Sequence, residues 1–385
     1  MKKLAVLFGI IAVVVVSYLA LTTVAPTTTV PMAVAAGPTY SATIYVAGHG
    51  GHFAKADVTI DASNAAEPVK ISNLDKVDIG DSKSHPTHDA RVDSNDPNVL
   101  FWSTYMPDAN KKMHVGKSDL KTGKVIQDVT LTPDPARSPG EKPPLYCASG
   151  QSKAFYMPVF MGVEGYVDVF DKKDLKHLHR VFISDLGYAK GSYKFTHGTN
   201  SHDMKTFILT MNLVKDGKST GDVDFVLVDL AALEQGKFKQ IAKNTIKGDP
   251  NNTITFREFF TQDGKYIMQS AADRLWVLDA KTLKLVDEKM MPAGHQLHDA
   301  MPTPDGKFAI LTVRNVTEGC DMEGKGIKDE KGEMKTITDG VLMVYDAGAK
   351  TVNTKATSAC FGCHKGMGKG DKNAVLCGLD GNFKK

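Results

Sequence analysis

The sequence has almost no excess of charge of either sign. Its 47 lysines and arginines nearly balance 44 aspartates and glutamates, for a formal net charge of +3. Domains that bind nucleic acid usually carry a basic stripe or patch. The balanced charge gives no sign of one, so nucleic acid is not expected as a partner. The one locally basic stretch, residues 365–385, fits a solvated terminus and a docking patch for an acidic redox partner equally well.

Helical periodicity is nearly absent between residues 40 and 345. Short β-branched and aromatic runs alternate there with turns rich in Gly, Asp, Asn and Pro. The runs recur at intervals of roughly 40 to 60 residues, which is the range of propeller blades. Several units continue into a strand that ends in aspartate, as at 274–279 and 340–346. Asp-Gly-Lys turns precede inner strands at 263–265 and 305–307.

This order of turn, strand, strand ending in aspartate, turn and strand resembles the YVTN-type β-propeller superfamily. That superfamily includes the haem-bearing propeller of dissimilatory nitrite reductases and the copper propeller of nitrous oxide reductase. The resemblance covers about residues 40 to 350 and concerns the architecture rather than any one activity. It implies an all-β fold, and we predict a β-propeller over residues 37–352. Six units are visible and joining the two chain ends could complete one more, so six to eight blades are expected, with six or seven favoured.

Cysteine is scarce, and two of the five cysteines lie in one motif, Cys360-Phe361-Gly362-Cys363-His364. The C-x-x-C-H spacing is typical of covalent haem c attachment, in which each thiol bonds one vinyl group and the histidine ligates the iron. A zinc site would need two more well-spaced ligands, and a thioredoxin-like pair would need a βαβ setting. The flanking Gly/Lys-rich sequence offers neither. We therefore predict one covalent haem c held by Cys360, Cys363 and His364.

Residues 353–385 are predicted to form a short C-terminal haem-binding extension. A free-standing cytochrome c fold needs several helices, and this stretch is too short for them, so the haem is expected to lie against the propeller. Met367 is too near His364 in sequence to reach the opposite face of the porphyrin. Met322, Met334, a histidine from a blade loop and an open sixth position all remain as alternatives for the distal side.

One long apolar run, residues 4–21, follows Met1-Lys2-Lys3. This is the pattern of an export signal, and its length is also close to the lower limit for a membrane-spanning helix. Residues 1–36 are therefore predicted to be a signal peptide or an N-terminal membrane anchor, with cleavage slightly favoured. In both cases the remainder is expected in the periplasm or otherwise outside the cytoplasmic membrane, where haem c is attached.

The three other cysteines are Cys147, Cys320 and Cys377. In an oxidising compartment one pair can form a disulfide, and the sequence allows three pairings. We favour Cys320 with Cys377, because these two flank the haem segment in sequence.

Histidines cluster at three places, in residues 85–89, 197–203 and 295–299. Each place has a histidine three or five residues ahead of a His-Asp pair, next to an inner strand. Equivalent positions of different blades converge on the propeller axis. The predicted metal ligands at that axis are His85, His88, His197, His202, His295 and His298. We assign the catalytic role to His88, His202 and His298.

Imidazole suits copper and iron, and each adjacent aspartate could orient a ring through its other nitrogen. The resemblance implies a second metal, copper or iron, or a haem-type cofactor at this place. The alternative is structural, with histidine bonding backbone and aspartate fixing a turn. Arg257 and Glu258 hold the corresponding position in a blade without histidine. They would either bind an anionic substrate or form a buried structural ion pair.

These features predict an exported monohaem c-type cytochrome with a β-propeller, taking part in respiratory electron transfer. One version is an oxidoreductase that acts on a small inorganic substrate at the histidine-lined axis. The alternative is a non-catalytic electron-relay and docking module. The expected partner is a redox cytochrome or a membrane quinol-linked complex.

Overall fold

The computed structural model describes residues 37–48, 50–133, 145–318, 325–358 and 376–384. Within these ranges, the chain forms 24 β-strands, one 3-10 helix and one short α-helix. The strands make six four-stranded antiparallel sheets, which confirms the predicted all-β propeller and gives it six blades. No helix in the described part of the chain has the length and apolar character that crossing a bilayer demands. The predicted signal peptide or anchor, residues 1–36, lies outside these ranges.

Strands are numbered along the chain, and each blade contains four of them. Blade 1 contains β1 (Thr39–Ala47), β2 (His52–Asp61), β3 (Val69–Asp78) and the last strand, β24 (Cys377–Phe383). Blade 2 contains β4 (Thr87–Val92), β5 (Val99–Thr104), β6 (Met113–Asp119) and β7 (Lys124–Leu131). Blade 3 contains β8 (Leu145–Gln151), β9 (Phe155–Met161), β10 (Tyr166–Asp171) and β11 (His177–Phe182), followed by the 3-10 helix Ile183–Leu186.

The second half of the chain repeats the plan. Blade 4 contains β12 (Tyr193–Asn200), β13 (Thr206–Lys215), β14 (Lys218–Asp229) and β15 (Gln240–Lys247), with α1 (Leu230–Glu234) between the last two. Blade 5 contains β16 (Glu258–Phe260), β17 (Tyr266–Ser270), β18 (Arg274–Asp279) and β19 (Leu285–Met290). Blade 6 contains β20 (His295–Pro302), β21 (Phe308–Glu318), β22 (Thr336–Asp346) and β23 (Thr351–Ser358).

The two ends of the described chain close the ring. Strand β24 pairs antiparallel with β1 and forms the inner strand of blade 1. Blade 6 also continues to Ser358 through β23. The propeller therefore extends beyond the predicted boundary at residue 352, and part of the predicted C-terminal extension belongs to the blades. The inner strands surround the axis in the order β24, β4, β8, β12, β16 and β20.

The aspartates that end many strands fix the turns that follow. Asp279 Oδ1 accepts the backbone N–H groups of Lys281 and Thr282, and Asp346 Oδ1 accepts those of Gly348 and Ala349. An aspartate side chain that binds backbone two or three residues later forms an Asx-type turn. The repeated aspartate therefore marks the turn into the outer strand, and apolar side chains between blades form the core. Trp102 and Trp276 are fully buried in it.

Candidate functional site

Three buried side chains meet near the beginnings of neighbouring inner strands. His88 lies in β4, His298 in β20, and Cys377 is the first residue of β24. Their exposed fractions are 4%, 1% and 0%. One ring nitrogen of each histidine and the Cys377 Sγ all lie within 4.8 Å of one another. We call these three residues the axial cluster, and its donor atoms are close enough to share one metal ion.

A β-bulge sets the direction of each histidine. In the pairing of β4 with β5, His88 is the extra residue between Thr87 and Asp89. His298 is the extra residue at a bulge of β20, and Cys147 is the extra residue at a bulge of β8. A bulged residue breaks the alternation of the strand and re-aims its side chain. The bulges therefore turn these side chains away from the packing between blades.

Aromatic rings hold both imidazoles in place. The His298 ring is stacked on Phe256 with centroids 4.4 Å apart, and the His88 ring is stacked on Tyr105 at 4.3 Å. The two imidazoles meet edge to face at 5.8 Å. Stacked planar rings have little freedom to rotate, so the nitrogen atoms of the cluster have fixed directions.

Asp299 orients the ring of His298 through its Nδ1. Its Oδ2 lies 3.0 Å from His298 Nδ1 and also accepts a hydrogen bond from Thr312 Oγ1 at 2.5 Å. A carboxylate on one imidazole nitrogen leaves the other nitrogen available as a ligand. Burial lowers the pKa of His298 to about 4, although the carboxylate opposes that change. His298 is therefore neutral at physiological pH, as a metal ligand must be.

Arg257 lies beneath the cluster and joins four blades. Its Nη2 is 3.1 Å from Asp89 Oδ1, and its Nη1 is 3.5 Å from Asp299 Oδ1. The guanidinium also donates to the backbone carbonyls of Ala90 at 3.3 Å and Leu379 at 3.1 Å. Arg257 is thus a buried structural ion-pair residue, as one of the two alternatives predicted, but its partners are these two aspartates.

Glu258 is buried beside this network. It is 1% exposed, and neither of its carboxyl oxygens has a hydrogen-bond partner in the described part of the chain. Burial raises the pKa of this carboxyl to about 8, against the opposing effect of the guanidinium groups of Arg257 and Arg91. Glu258 therefore carries a proton at neutral pH and does not act as the counter-ion of Arg257.

Cys147 places a second thiol near the axial cluster. It is 2% exposed and carries a free thiol. Burial, and then the neighbouring Cys377, raise the pKa of this thiol well above its usual range. Cys320 lies outside the described residues, so the favoured disulfide between Cys320 and Cys377 remains a prediction; that disulfide and a metal-bound Cys377 thiolate exclude each other.

Two further predicted ligands lie near the axial cluster without joining it. His197 is fully buried in β12, with Nδ1 3.1 Å from the Phe195 carbonyl oxygen. Burial lowers its pKa to about 3, so this ring is neutral. His295 begins β20 and places Nδ1 3.1 Å from the Ala293 carbonyl oxygen. Both histidines bond backbone, which agrees with the structural alternative for these two positions.

The structure corrects the assignment of His202. This residue is exposed in the turn after β12, with Nε2 3.1 Å from the Phe260 carbonyl oxygen. The histidine spacing in blade 4 is five residues rather than three, so the His-Asp pair passes the end of the strand. Asp203 then accepts the Ser201 hydroxyl and the Lys205 N–H as a turn residue. His202 therefore does not lie with His88 and His298.

His85 belongs to a different group. It precedes β4 and lies beside His114 and Asp128 of blade 2. His114 lies in β6 and is buried. Cys377, His114 and Asp128 are thus the ligand candidates among the described residues that the sequence did not predict.

The predicted haem ligands Cys360, Cys363 and His364 lie outside the described residues, as does Met322. The described residues on either side of this segment, Ser358 and Cys377, show where the chain leaves and re-enters the propeller. Strands alternate in direction from β20 to β23, so β23 ends at Ser358 on the face where the inner strands begin. Cys377 begins the inner strand of blade 1 at the same face. Both flanks therefore lie on the face that holds the axial cluster.

No known family profile and no curated protein matches this sequence. Solved structures do match its fold. The Pseudomonas aeruginosa periplasmic gluconolactonase PpgL has a TM-score of 0.50 and 13% identity, over 90% of this chain and 99% of that one. This likeness shows a shared β-propeller fold and nothing more specific.

Two further matches have TM-scores below 0.5. Kuenenia stuttgartiensis hydrazine synthase has a TM-score of 0.39 and 13% identity, over 69% of this chain and 74% of that one. The Myceliophteria thermophila Cps50 (Swd1) β-propeller domain has a TM-score of 0.38 and 12% identity, over 72% and 87%.

Proposed function

We propose that this protein is an exported monohaem c-type cytochrome whose propeller holds a second metal in the axial cluster. Cys360 and Cys363 would bind the haem covalently, and His364 would ligate its iron. The observation that carries the proposal is the position of Cys377. The segment with the haem motif leads directly into this residue, which lies beside His88 and His298.

The donors of the axial cluster fit copper better than iron. Two imidazoles and one thiolate form the ligand set of one-electron copper sites, whereas non-haem iron favours carboxylates beside histidine. Zinc accepts the same donors but carries no electrons. Cys377, rather than His202, would be the third donor. When bound, copper would supply a one-electron couple that matches the one-electron couple of haem.

The surrounding residues would prepare the site before any metal binds. Asp299 holds His298 through Nδ1, and Phe256 and Tyr105 fix the two ring planes. Arg257 pairs with both Asp89 and Asp299 and holds these carboxylates in place. Little reorganisation would then accompany a change of metal charge, which is the requirement for fast electron transfer.

Electron relay is favoured over catalysis on a small inorganic substrate. A substrate-binding metal needs an open position, whereas His88, His298 and Cys377 are each at most 4% exposed. The partner would be a periplasmic cytochrome or a membrane quinol-linked complex. The oxidoreductase version remains the second candidate, because Glu258 is a buried protonated carboxyl close to Arg257 in the same part of the propeller.

Export with cytochrome c maturation, followed by a haem stain on a denaturing gel, tests the haem. The wild type should retain the stain, and Cys360→Ala together with Cys363→Ala should lose it, because the covalent bonds are gone. His177→Ala, in blade 3, is the matched control and should retain it. Full stain in the double variant would contradict haem attachment at these cysteines.

A further inference from the structure

A second group of metal-ligand side chains lies in blade 2. His85 precedes β4, His114 lies in β6 and Asp128 lies in β7. One donor atom from each lies within 4.8 Å of the others. We call these three residues the blade-2 cluster, which shares no residue with the axial cluster.

The donor atoms converge on one point. His85 Nε2 and His114 Nδ1 each lie 3.0 Å from the same oxygen, Oδ2 of Asp128. In a tetrahedral site with metal bonds of about 2.0–2.1 Å, neighbouring donor atoms lie about 3.3 Å apart. The observed spacing is close to that value, so an ion could bind with small movements of the three side chains.

The remaining ring nitrogen of His85 has a hydroxyl partner, and that of His114 faces a carboxylate beyond hydrogen-bond distance. His85 Nδ1 lies 2.8 Å from the Ser84 hydroxyl, and His114 Nε2 lies 3.6 Å from Asp108 Oδ2. Metal-bound histidines usually have an oxygen on the nitrogen that does not ligate, which fixes the tautomer and the ring orientation. His85 shows this arrangement, and a small movement of Asp108 would complete it for His114.

The fold holds the two rings in place. Their centroids are 4.1 Å apart, and the His85 ring also meets Trp102 edge to face at 5.9 Å. A Cβ atom at Gly80 would lie 2.4 Å from His85 Nδ1, so a glycine there leaves space for the ring. The side chains of His85, His114 and Asp128 remain 13%, 10% and 30% exposed. Water can therefore reach the cluster and complete a coordination shell.

We propose that His85, His114 and Asp128 bind a divalent first-row transition ion, with water in the remaining position. Two imidazoles and one carboxylate are a ligand set for zinc and for non-haem iron. The carboxylates of Asp108 and Asp128 balance the two charges of such an ion. A purely structural histidine–aspartate network is the competing explanation. This site is independent of the haem and of the axial cluster.

Titration of the metal-stripped full-length protein with Zn²⁺ alone, followed by calorimetry, tests the site. Asp128→Asn keeps the side-chain shape and should lose one equivalent of bound zinc, or weaken it at least tenfold. His298→Ala should retain that equivalent, which separates this site from the axial cluster. His177→Ala is the matched control, because His177 Nε2 also faces a carboxylate, Asp168 Oδ1, at 2.9 Å.

Asp108→Asn should weaken the binding of zinc about tenfold, because Asp108 helps to orient His114. This variant replaces Asp128→Asn in the test if Asp128→Asn fails to fold. Zinc should also raise the melting temperature of His298→Ala, which lacks a donor of the axial cluster, but not that of the Asp128→Asn His298→Ala double variant. Equal stoichiometry and affinity in the wild type and a folded Asp128→Asn or Asp108→Asn variant would overturn the proposal in favour of the structural network.

Discussion

Arg257 of blade 5 places its Nη2 3.1 Å from Oδ1 of Asp89 in blade 2. Blades 5 and 2 face each other across a ring of six, so this guanidinium crosses the propeller axis. It is 1% exposed and also faces Asp299 of blade 6. One side chain therefore joins opposite sides of the ring beneath the axial cluster.

Arg257→Ala is expected to destabilise the protein by about 3–5 kcal/mol, because it leaves two buried aspartates without a counter-ion. The measurement is urea unfolding followed by circular dichroism. Lys265→Ala is the control, since the pair of Lys265 with Asp263 at 3.0 Å is exposed to solvent and should contribute little. Similar small losses in both variants would show that the axial ion pair is not important for stability.

Glu258 makes stability depend on pH. Its pKa is about 8 in the folded protein, against 4.5 for an ordinary glutamate, so the folded state keeps a proton that the unfolded state has lost. Stability should therefore fall as pH rises from about 4.5 to about 8. Glu258→Gln removes this dependence and should be more stable than the wild type by roughly 2–4 kcal/mol at pH 8. Unfolding measured at pH 5 and pH 8 checks this, with the exposed Glu67→Gln as control. A constant difference between the two pH values would refute it.

Gly378 lets β24 approach the bulge at His88. It has a φ of +68°, and a Cβ atom there would lie 2.0 Å from the His88 carbonyl oxygen. Gly378→Ala should therefore cost both a left-handed backbone and a steric clash. Gly217→Ala is the matched control, with a φ of +75° and open space around the position.

We expect Gly378→Ala to lose at least 2 kcal/mol more than Gly217→Ala, whose cost should be about 1–2 kcal/mol. Thermal unfolding measures both variants. Equal melting temperatures would mean that the close contact between β24 and β4 does not constrain the structure.

Variants of the axial cluster should distinguish its metal ligands from His202, which the structure places outside the cluster. Cys377→Ser and His298→Ala remove donors of the axial cluster, whereas His202→Ala removes an exposed histidine of a distant turn. We expect the first two variants to lose the second metal while keeping haem absorbance, and His202→Ala to keep both. Elemental analysis with a visible spectrum makes the comparison. Loss of metal in His202→Ala would favour the original histidine assignment.

The blade plan was predictable because its signals are local. A strand that ends in aspartate, such as β18 with Asp279, fixes its next turn through the backbone two or three residues later. The spacing at His88 and His298 was informative for the same reason, since both residues occupy equivalent bulges. At His202 the longer spacing moves the pair beyond the strand, and only the strand boundary of β12 shows this.

The remaining features depend on contacts between distant parts of the chain. Cys377 is a lone cysteine in sequence, and it reaches the axis only because β24 pairs with β1, more than 300 residues earlier. His114 and His85 meet through Asp128, which lies 43 residues from His85. No short motif records either arrangement. Cys377 could have been placed at the axis only by predicting that the last strand of the chain pairs with the first.

Metal content per chain, measured on protein exported and matured with haem c, tests the central claim most directly. The account predicts one haem iron and one copper in the wild type, and haem iron without copper in Cys377→Ser, apart from any ion held by the blade-2 cluster. One iron and no copper in the wild type, after maturation with copper supplied, would contradict the proposed axial centre.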